Sequence, residues 1–296
     1  MNAARTRSAI LRVVAVLGVL VSAACGSGSR AAGRASTTVT TADSPTRTAD
    51  SGSTSTSTSA SPPPATPAPA TAATVKNPVV VGFGNSVPSG TACSCTNFVS
   101  AYAAMVGAAT NTKPTVDNDA VSGSTSADLV NALTKTSIQA HVRAATTVLI
   151  MTGANDFNDA FDEVSLGAPA DATYAPVATA VQDNVSTILD KIHSLNAGAH
   201  VVVLDYWAAM EDGAVAAKDY DATAMAASLA STTYVNDALA AAAKAGNAIY
   251  VSTLTAFKGP AGTNDDTALL APDGDHPNAA GHELIARTID AVLPKG

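Results

Sequence analysis

The sequence predicts an α/β domain in which a parallel β-sheet lies between two layers of helices. Short runs of β-branched residues alternate with longer stretches whose apolar residues recur at helical spacing. Strands separated by helices pair in parallel, because each helix returns the chain to the same end of the sheet. Five strand-like runs are present, so we expect a three-layer α/β/α sandwich with the flavodoxin-like strand order 2-1-3-4-5.

The first predicted strand, residues 79–81, runs directly into a turn that contains Gly82, Gly84 and Ser86. Valine favours a pleated, buried strand, and glycine permits a tight turn and close approach of the backbone. Further strands are predicted over 115–120, 146–151, 200–204 and 248–251, and helices over 96–109, 126–142, 176–197, 222–245 and 278–293. Because ligands collect at the carboxyl ends of parallel strands, Ser86 lies where a nucleophile would be presented.

Residues 1–24 are typical of a secretory signal peptide. Three arginines are followed by an apolar run over 13–21 and then by small residues. That run is shorter than the roughly 20 residues needed to span a bilayer. Cys25 follows the small residues and resembles the lipidated cysteine of a bacterial lipobox, which implies a membrane anchor. Ser22 stands where that motif usually has leucine, so ordinary cleavage and free secretion is the alternative.

Residues 25–74 are rich in Ser, Thr, Pro and Ala and show no apolar periodicity. Such a segment cannot bury enough surface to offset the entropy lost on ordering it. We therefore expect a disordered tether that carries a folded domain over residues 75–296.

Composition limits the possible functions of this domain. The chain is 47% hydrophobic, which is enough for a large core, and its net charge is −8. A basic patch interleaved with aromatic residues is absent from the sequence, so nucleic acid is not an expected partner. Only 4% of the residues are aromatic, which argues against a broad aromatic platform for stacking sugars.

The chain has three cysteines, Cys25, Cys93 and Cys95. If Cys25 carries lipid, an even pair remains in an oxidising compartment, and cysteines two residues apart can meet the Cα spacing of a disulfide. We therefore expect a Cys93–Cys95 disulfide. A zinc site is less favoured, because zinc requires three or four ligands and the domain has no further cysteine.

Four polar patches follow predicted strands or open the last helix, and a parallel sheet would bring them together. They are residues 84–87, 120–125, 153–156 and 273–278. Together, in this order, the four patches resemble the blocks of the SGNH, or GDSL, hydrolase family. The resemblance covers the whole predicted domain.

The resemblance implies a catalytic triad of Ser86 as nucleophile, His276 as base and Asp273 as its carboxylate partner. It also implies an oxyanion hole formed by the backbone N–H groups of Ser86 and Gly123 with the side-chain amide of Asn155. Serine needs a neighbouring base to become nucleophilic, and a carboxylate fixes the imidazole tautomer. No metal or cofactor is expected.

Some residues of these patches carry a second interpretation. Asn85 stands where the family usually has Asp; that Asp is neither nucleophile nor base, so we expect activity to survive. Asp275 is the competing candidate for partner of His276. His282 is expected to be structural, and Trp207 either lines the acyl pocket or packs in the core.

The sequence thus predicts an exported esterase that cleaves acyl esters of lipids, acylated sugars or wall polymers through an acyl-serine intermediate. It would be an outward-facing membrane lipoprotein or a secreted protein. The alternatives are an acyltransferase with the same site, a non-catalytic envelope binding lipoprotein, and a flavodoxin-like redox protein. The last lacks an evident aromatic pair for stacking a flavin.

Overall fold

The computed structural model of the protein describes residues 77–293. The predictions for the signal peptide, Cys25 and the tether lie outside these residues. Within them, no helix combines the length and the apolar character that crossing a membrane would require.

A five-stranded parallel sheet forms the centre of the domain, in the order β2-β1-β3-β4-β5. The strands are β1 (Val79–Gly84), β2 (Thr115–Asn118), β3 (Thr147–Met151), β4 (His200–Leu204) and β5 (Ile249–Val251). This confirms the predicted fold class and strand order. The predicted strand boundaries are met within a few residues.

Ten α-helices surround the sheet in the described part of the chain. They are α1 (Ser86–Ser89), α2 (Phe98–Thr110), α3 (Ser126–Ala132), α4 (Thr136–Ala144), α5 (Asn158–Ser165), α6 (Ala170–Leu195), α7 (Gly213–Asp219), α8 (Ala222–Ala245), α9 (Thr253–Lys258) and α10 (Ala279–Val292). Two 3₁₀ turns, Ala154–Phe157 and Thr267–Leu269, complete the elements. Helix α2 packs against α10, whereas α6 packs against α3 and α8.

The single helix predicted over 126–142 is two helices, α3 and α4. The break follows Ala132, where the Thr134 hydroxyl donates a hydrogen bond to the carbonyl of Asn131 at 2.7 Å. A threonine hydroxyl that bonds to nearby backbone competes with the helical ladder in this way. The helix predicted from Pro176 begins earlier, at Ala170, with the proline inside it. The short helices α5, α7 and α9 lie outside the predicted helices.

Strand β3 lies at the centre of the sheet, between β1 and β4. Val148, Leu149, Ile150 and Met151 of β3 are all fully buried. Burial of such a side chain contributes roughly 1.5–3 kcal/mol relative to exposure. The end of β1 pairs with the end of β3, Gly84 beside Met151. The turns that follow these two strands therefore leave the sheet as neighbours, supported by its most buried part.

Candidate active site

The turn after β1 presents Ser86. Gly84 has φ +129°, and a Cβ at this position would lie 1.8 Å from the carbonyl oxygen of Met151, so only glycine fits. The next residue, Asn85, donates its backbone N–H to the same oxygen at 3.2 Å. Ser86 then begins α1 directly, closer to the strand than the sequence predicted. Its hydroxyl has no hydrogen-bond partner among residues 77–293 and lies on the wall of a cleft.

Asn85 is buried and joins the ends of two strands. Its side-chain oxygen accepts from the N–H of Val87 at 3.3 Å, which caps α1. Its side-chain NH₂ donates to the hydroxyl of Tyr206, just after β4, at 2.8 Å. Both side chains are 2% exposed, and burial raises the pKa of Tyr206. An amide supplies this donor without placing a charge in the core, where an unpaired carboxylate would be costly.

His276 lies in the loop before α10 and is held by Asp273. Its Nδ1 is 2.9 Å from Asp273 Oδ2, and the backbone N–H of His276 donates to Asp273 Oδ1 at 3.1 Å. Partial burial alone would raise the pKa of Asp273, but the hydrogen bonds from His276 and the N–H of Asp275 outweigh it and lower that pKa. A carboxylate bound to Nδ1 leaves Nε2 free to accept a proton.

Asp275 is the more distant of the two carboxylates. Its Oδ2 lies 3.7 Å from His276 Nδ1, beyond hydrogen-bonding distance. Its pKa is raised, chiefly by desolvation and further by the charge of Asp273, with His276 opposing the change. The geometry therefore favours Asp273 as partner of the histidine.

One cleft of about 410 Å³ brings four of the predicted residues together: Ser86, Asn155, Asp273 and His276. Trp207 also lines this cleft, while its ring stacks on Phe257 with centroids 4.4 Å apart. Trp207 therefore has both expected roles: its side chain packs in the core and also forms part of the cleft wall.

The two remaining oxyanion candidates lie in different places. Asn155 sits in the 3₁₀ turn after β3, where its side-chain NH₂ donates to the carbonyl of Ser124 at 2.9 Å. Gly123 does not line the cleft; it borders a neighbouring cavity of about 450 Å³ that Gly84 and Ser124 also line. The Ser124 hydroxyl donates to the carbonyl of Gly84 at 3.0 Å, which ties the Gly123 segment to the end of β1.

Sequence reasoning missed several residues of the cleft wall. Tyr206, Glu211 and Tyr220 line it, and all three follow β4. The position of Tyr206 just after β4 could have indicated that it lines the cleft, as the same position did for Trp207. The distance along the chain from β4 to Tyr220 left no local pattern to recognise.

Cys93 and Cys95 lie in the loop between α1 and α2. Their sulfur atoms are paired, with Cα atoms 5.1 Å apart. A ring nitrogen of His282 lies within 4.8 Å of them, but sulfurs joined to each other are not thiolates and cannot ligate zinc. His282 is fully buried in α10, and its Nδ1 accepts from the N–H of Phe98 at 3.3 Å. Burial lowers its pKa to about 4, which agrees with a structural role.

Comparison of the sequence with known families gives one match. The chain matches the GDSL-like lipase/acylhydrolase family over residues 83–284. No curated protein matches the chain in sequence.

Among solved structures, the lipase Lip_vut3 from a goat rumen metagenome is 17% identical with a TM-score of 0.59, covering 73% of this chain and 97% of that one. An extracellular lipase from Streptomyces rimosus is 20% identical with a TM-score of 0.53, covering 73% and 100%. A variant of Axe2, an acetyl-xylooligosaccharide esterase from a Geobacillus, is 18% identical with a TM-score of 0.52, covering 74% and 95%. At these identities the structural similarity establishes the fold alone. The family match spans most of the folded domain, and the chain therefore belongs to the GDSL-like lipase/acylhydrolase family and is a carboxylic-ester hydrolase.

Proposed function

We propose that the protein is an exported serine esterase that hydrolyses acyl esters through an acyl-serine intermediate. One observation carries the mechanism: Ser86, Asn155, Asp273 and His276 line a single cleft, and Asp273 is hydrogen-bonded to His276 Nδ1. This is the arrangement that activates a serine hydroxyl, because the second imidazole nitrogen is left for the proton of the nucleophile.

The reaction follows from these positions. His276 Nε2 removes the proton of Ser86 as its oxygen attacks the ester carbonyl, and the alcohol leaves with that proton. Water then attacks the acyl-serine with His276 again as base, which releases the acid and restores Ser86. Asp273 holds the imidazole and stabilises its protonated form through both steps.

The tetrahedral intermediates need hydrogen-bond donors for their negative oxygen. We assign this role to the backbone N–H of Ser86 and the side-chain amide of Asn155, which both line the cleft. The N–H of Gly123 stays the predicted third donor, although Gly123 borders the neighbouring cavity. The amide of Asn155 has two N–H groups, and one already donates to Ser124. The other is available to the oxyanion.

The class of ester is drawn from the cleft and from similar structures. Proteins of this fold include a lipase, a phospholipase A1 and an acetyl-xylooligosaccharide esterase by their own descriptions. A cleft of about 410 Å³ suits a short or medium acyl group better than a long one. Lipids, acylated sugars and acylated wall polymers are the candidate substrates.

Labelling with a fluorophosphonate probe tests the nucleophile. Digestion and mass spectrometry should locate the adduct on Ser86, and Ser86→Ala should take up no probe. An adduct on another serine contradicts the assignment. Product analysis with a sugar acceptor present separates the hydrolase from an acyltransferase, because transfer would produce an acylated sugar.

Export and anchoring are supported by the N-terminal sequence. A basic start, an apolar run and small residues precede Cys25. We propose that mature protein begins at a lipid-modified Cys25 and faces outward from the cell membrane. Mass spectrometry of the native N-terminus should find lipid on Cys25, and Cys25→Ser should release the protein into the medium. An unmodified N-terminus downstream of Cys25 would indicate simple secretion.

A further inference from the structure

The wall of the cleft is negatively charged. Glu211, Asp273 and Asp275 line it, and none of its lining residues is a lysine or an arginine. His276 is the one base among them. Three carboxylates against one imidazole leave the cleft with a negative charge whether or not His276 carries a second proton.

Two lysines, one in α7 and one in α9, pair with carboxylates that do not line the cleft. Lys258 forms an ion pair with Asp212 and lies 3.9 Å from Asp266, and Lys218 pairs with Asp219 at 3.1 Å. Neither lysine lines the cleft. No lysine or arginine of residues 77–293 lines the cleft, so its wall offers no ammonium or guanidinium group to an anionic substrate.

Glu211 differs from the other two carboxylates. Asp273 is bonded to His276, and Asp275 lies close to the same ring. The Glu211 carboxylate has no hydrogen bond or ion pair within the described residues, and the side chain is half-buried. Its pKa is raised, first by desolvation and then by the charges of Asp219, Asp275 and Asp273. The negative charges that raise the pKa of Glu211 also act on a ligand bound beside it.

The distribution of apolar residues indicates which part of an ester meets this charge. Trp207, Ala208 and Ala209 line the cleft beside Glu211 and are almost fully buried. The leaving alcohol takes its proton from His276, and Asp273 and Asp275 lie beside that ring and act electrostatically on Glu211. The carboxylates therefore lie on the side of the alcohol portion, whereas the apolar wall suits an acyl chain.

We propose that the cleft accepts esters with a neutral or cationic alcohol portion and rejects those with an anionic one, with Glu211 as the residue that sets this preference. The inference rests on the proposed function, because it concerns the same site. A partly desolvated carboxylate attracts a nearby cation and repels an anion more strongly than an exposed one does.

Three acetate esters of similar size test the proposal. They are 2-(trimethylammonio)ethyl acetate, which is cationic, 3,3-dimethylbutyl acetate, which is its neutral isostere, and 2-sulfoethyl acetate, which is anionic. We expect kcat/KM for the cationic ester to exceed that for the anionic ester by roughly a hundredfold at low salt, and the ratio to shrink at about 0.5 M NaCl through screening.

Glu211→Gln should reduce the cation-to-anion ratio roughly tenfold, with the neutral ester as internal reference for any general change in rate. Glu283→Gln makes the same charge change on the outer face of α10, where Glu283 is exposed and paired with Arg287. This control should keep the wild-type ratio.

The outcomes separate this inference from the proposed function. Hydrolysis of the neutral ester with an equal or higher rate for the anionic ester overturns the charge preference and leaves the serine esterase intact. A strong cation preference that Glu211→Gln does not reduce overturns the role of Glu211. Failure to hydrolyse any of the three esters, with no probe adduct on Ser86, overturns the proposed function and this inference with it.

Discussion

The nucleophile turn (residues 84–90) and the base loop (residues 270–278) both contribute residues to the wall of the cleft but are supported in different ways. The nucleophile turn continues the most buried strand pair and is tied by neutral bonds, Asn85 to Met151 and Tyr206. The base loop has no strand beneath it. Besides the hydrogen bonds to Asp273, its internal support includes an isolated bridge between Leu270 and Pro277 and a bond from the N–H of Ala271 to the carbonyl of His276 at 2.7 Å.

Behind the base loop lies an ionic cluster. The N–H of Asp212 donates to the carbonyl of Gly274 at 2.8 Å, and the carboxylate of Asp212 pairs with Lys258. Asp266 is 1% exposed, and neither of its carboxylate oxygens has a hydrogen-bond partner in the described residues. Neutral buried bonds do not change with pH, whereas buried charges do. A change of pH should therefore alter the stability of the base loop more than that of the nucleophile turn.

The largest effect is expected at the nucleophile itself. Ser86→Ala should lower ester hydrolysis by roughly 10⁴-fold or more, because the attacking oxygen is removed. The melting temperature should not change, since the hydroxyl has no partner in the described residues. Initial rates with a p-nitrophenyl ester and thermal unfolding on one preparation check both points. Ser186→Ala on α6 is the matched control and should keep its activity; equal activity in both variants would remove Ser86 from the triad.

On the base side, the two carboxylates near His276 should behave differently. Asp273→Asn should lower kcat by roughly 10²–10⁴-fold, because it disturbs the imidazole tautomer. Asp275→Asn should cost less than about tenfold, because a carboxylate at 3.7 Å from Nδ1 makes no hydrogen bond. Steady-state kinetics of the two variants decide the partner. A larger loss in Asp275→Asn would reverse the assignment.

Asn155 lies on the nucleophile side and should act on the transition state. Asn155→Ala should lower kcat roughly a hundredfold with KM nearly unchanged, because the oxyanion exists only in the tetrahedral state. The loss of the bond to Ser124 should also cost about 1 kcal/mol of stability. Ser124→Ala removes the bond to Gly84 in the same segment and should lower stability with a smaller effect on kcat. A large rise in KM with unchanged kcat would make Asn155 a scaffold residue.

Asp266 tests the ionic support of the base loop. Burial, with the charge of Asp212, raises its pKa to about 6. A carboxyl whose pKa is raised by folding stabilises the protein fully below its unfolded pKa of about 4 and loses that contribution as pH rises through about 6.

Asp266→Asn should therefore be more stable than wild type at pH 8, by about 2 kcal/mol, with little difference near pH 4. Urea unfolding at the two pH values measures this change. The neighbouring Asp265 is exposed, and hydrogen bonds from Thr267 lower its pKa, so Asp265→Asn should not gain stability at pH 8. A gain for Asp266→Asn that is equal at both pH values would show that its charge is not the cause.

The smallest effect is expected at the Cys93–Cys95 pair beside the nucleophile turn. The loop closed by this pair has a sequence separation of 2, so its loss should cost at most about 1.5 kcal/mol of chain entropy. The double variant Cys93→Ser/Cys95→Ser should fold and keep most of its activity. Counting free thiols on folded, non-reduced protein checks the pairing, and two reactive thiols would contradict it.

Much of the fold and of the site was predictable from local sequence patterns. Strands and helices show their periodicity within a few residues, and parallel connections place every strand's carboxyl end at one edge of the sheet. The polar patches around Ser86 and Asn155 therefore had to meet. Asp273 and His276 are three residues apart, so a local turn can join them, but Asp275 is also close in sequence and only the structure decided between the two carboxylates.

Other features depended on contacts between distant parts of the chain. The bond from Asn85 to Tyr206 spans 121 positions, and the approach of Asp266 to Lys258 and the position of Glu211 in the cleft wall have no local signature. Gly123 was expected in the oxyanion hole, yet the path of residues 119–125 places it beside the neighbouring cavity. Local patterns specify which segments become strands, helices and turns, but the packing of whole layers decides which side chains meet, because one side chain's neighbours come from several elements at once.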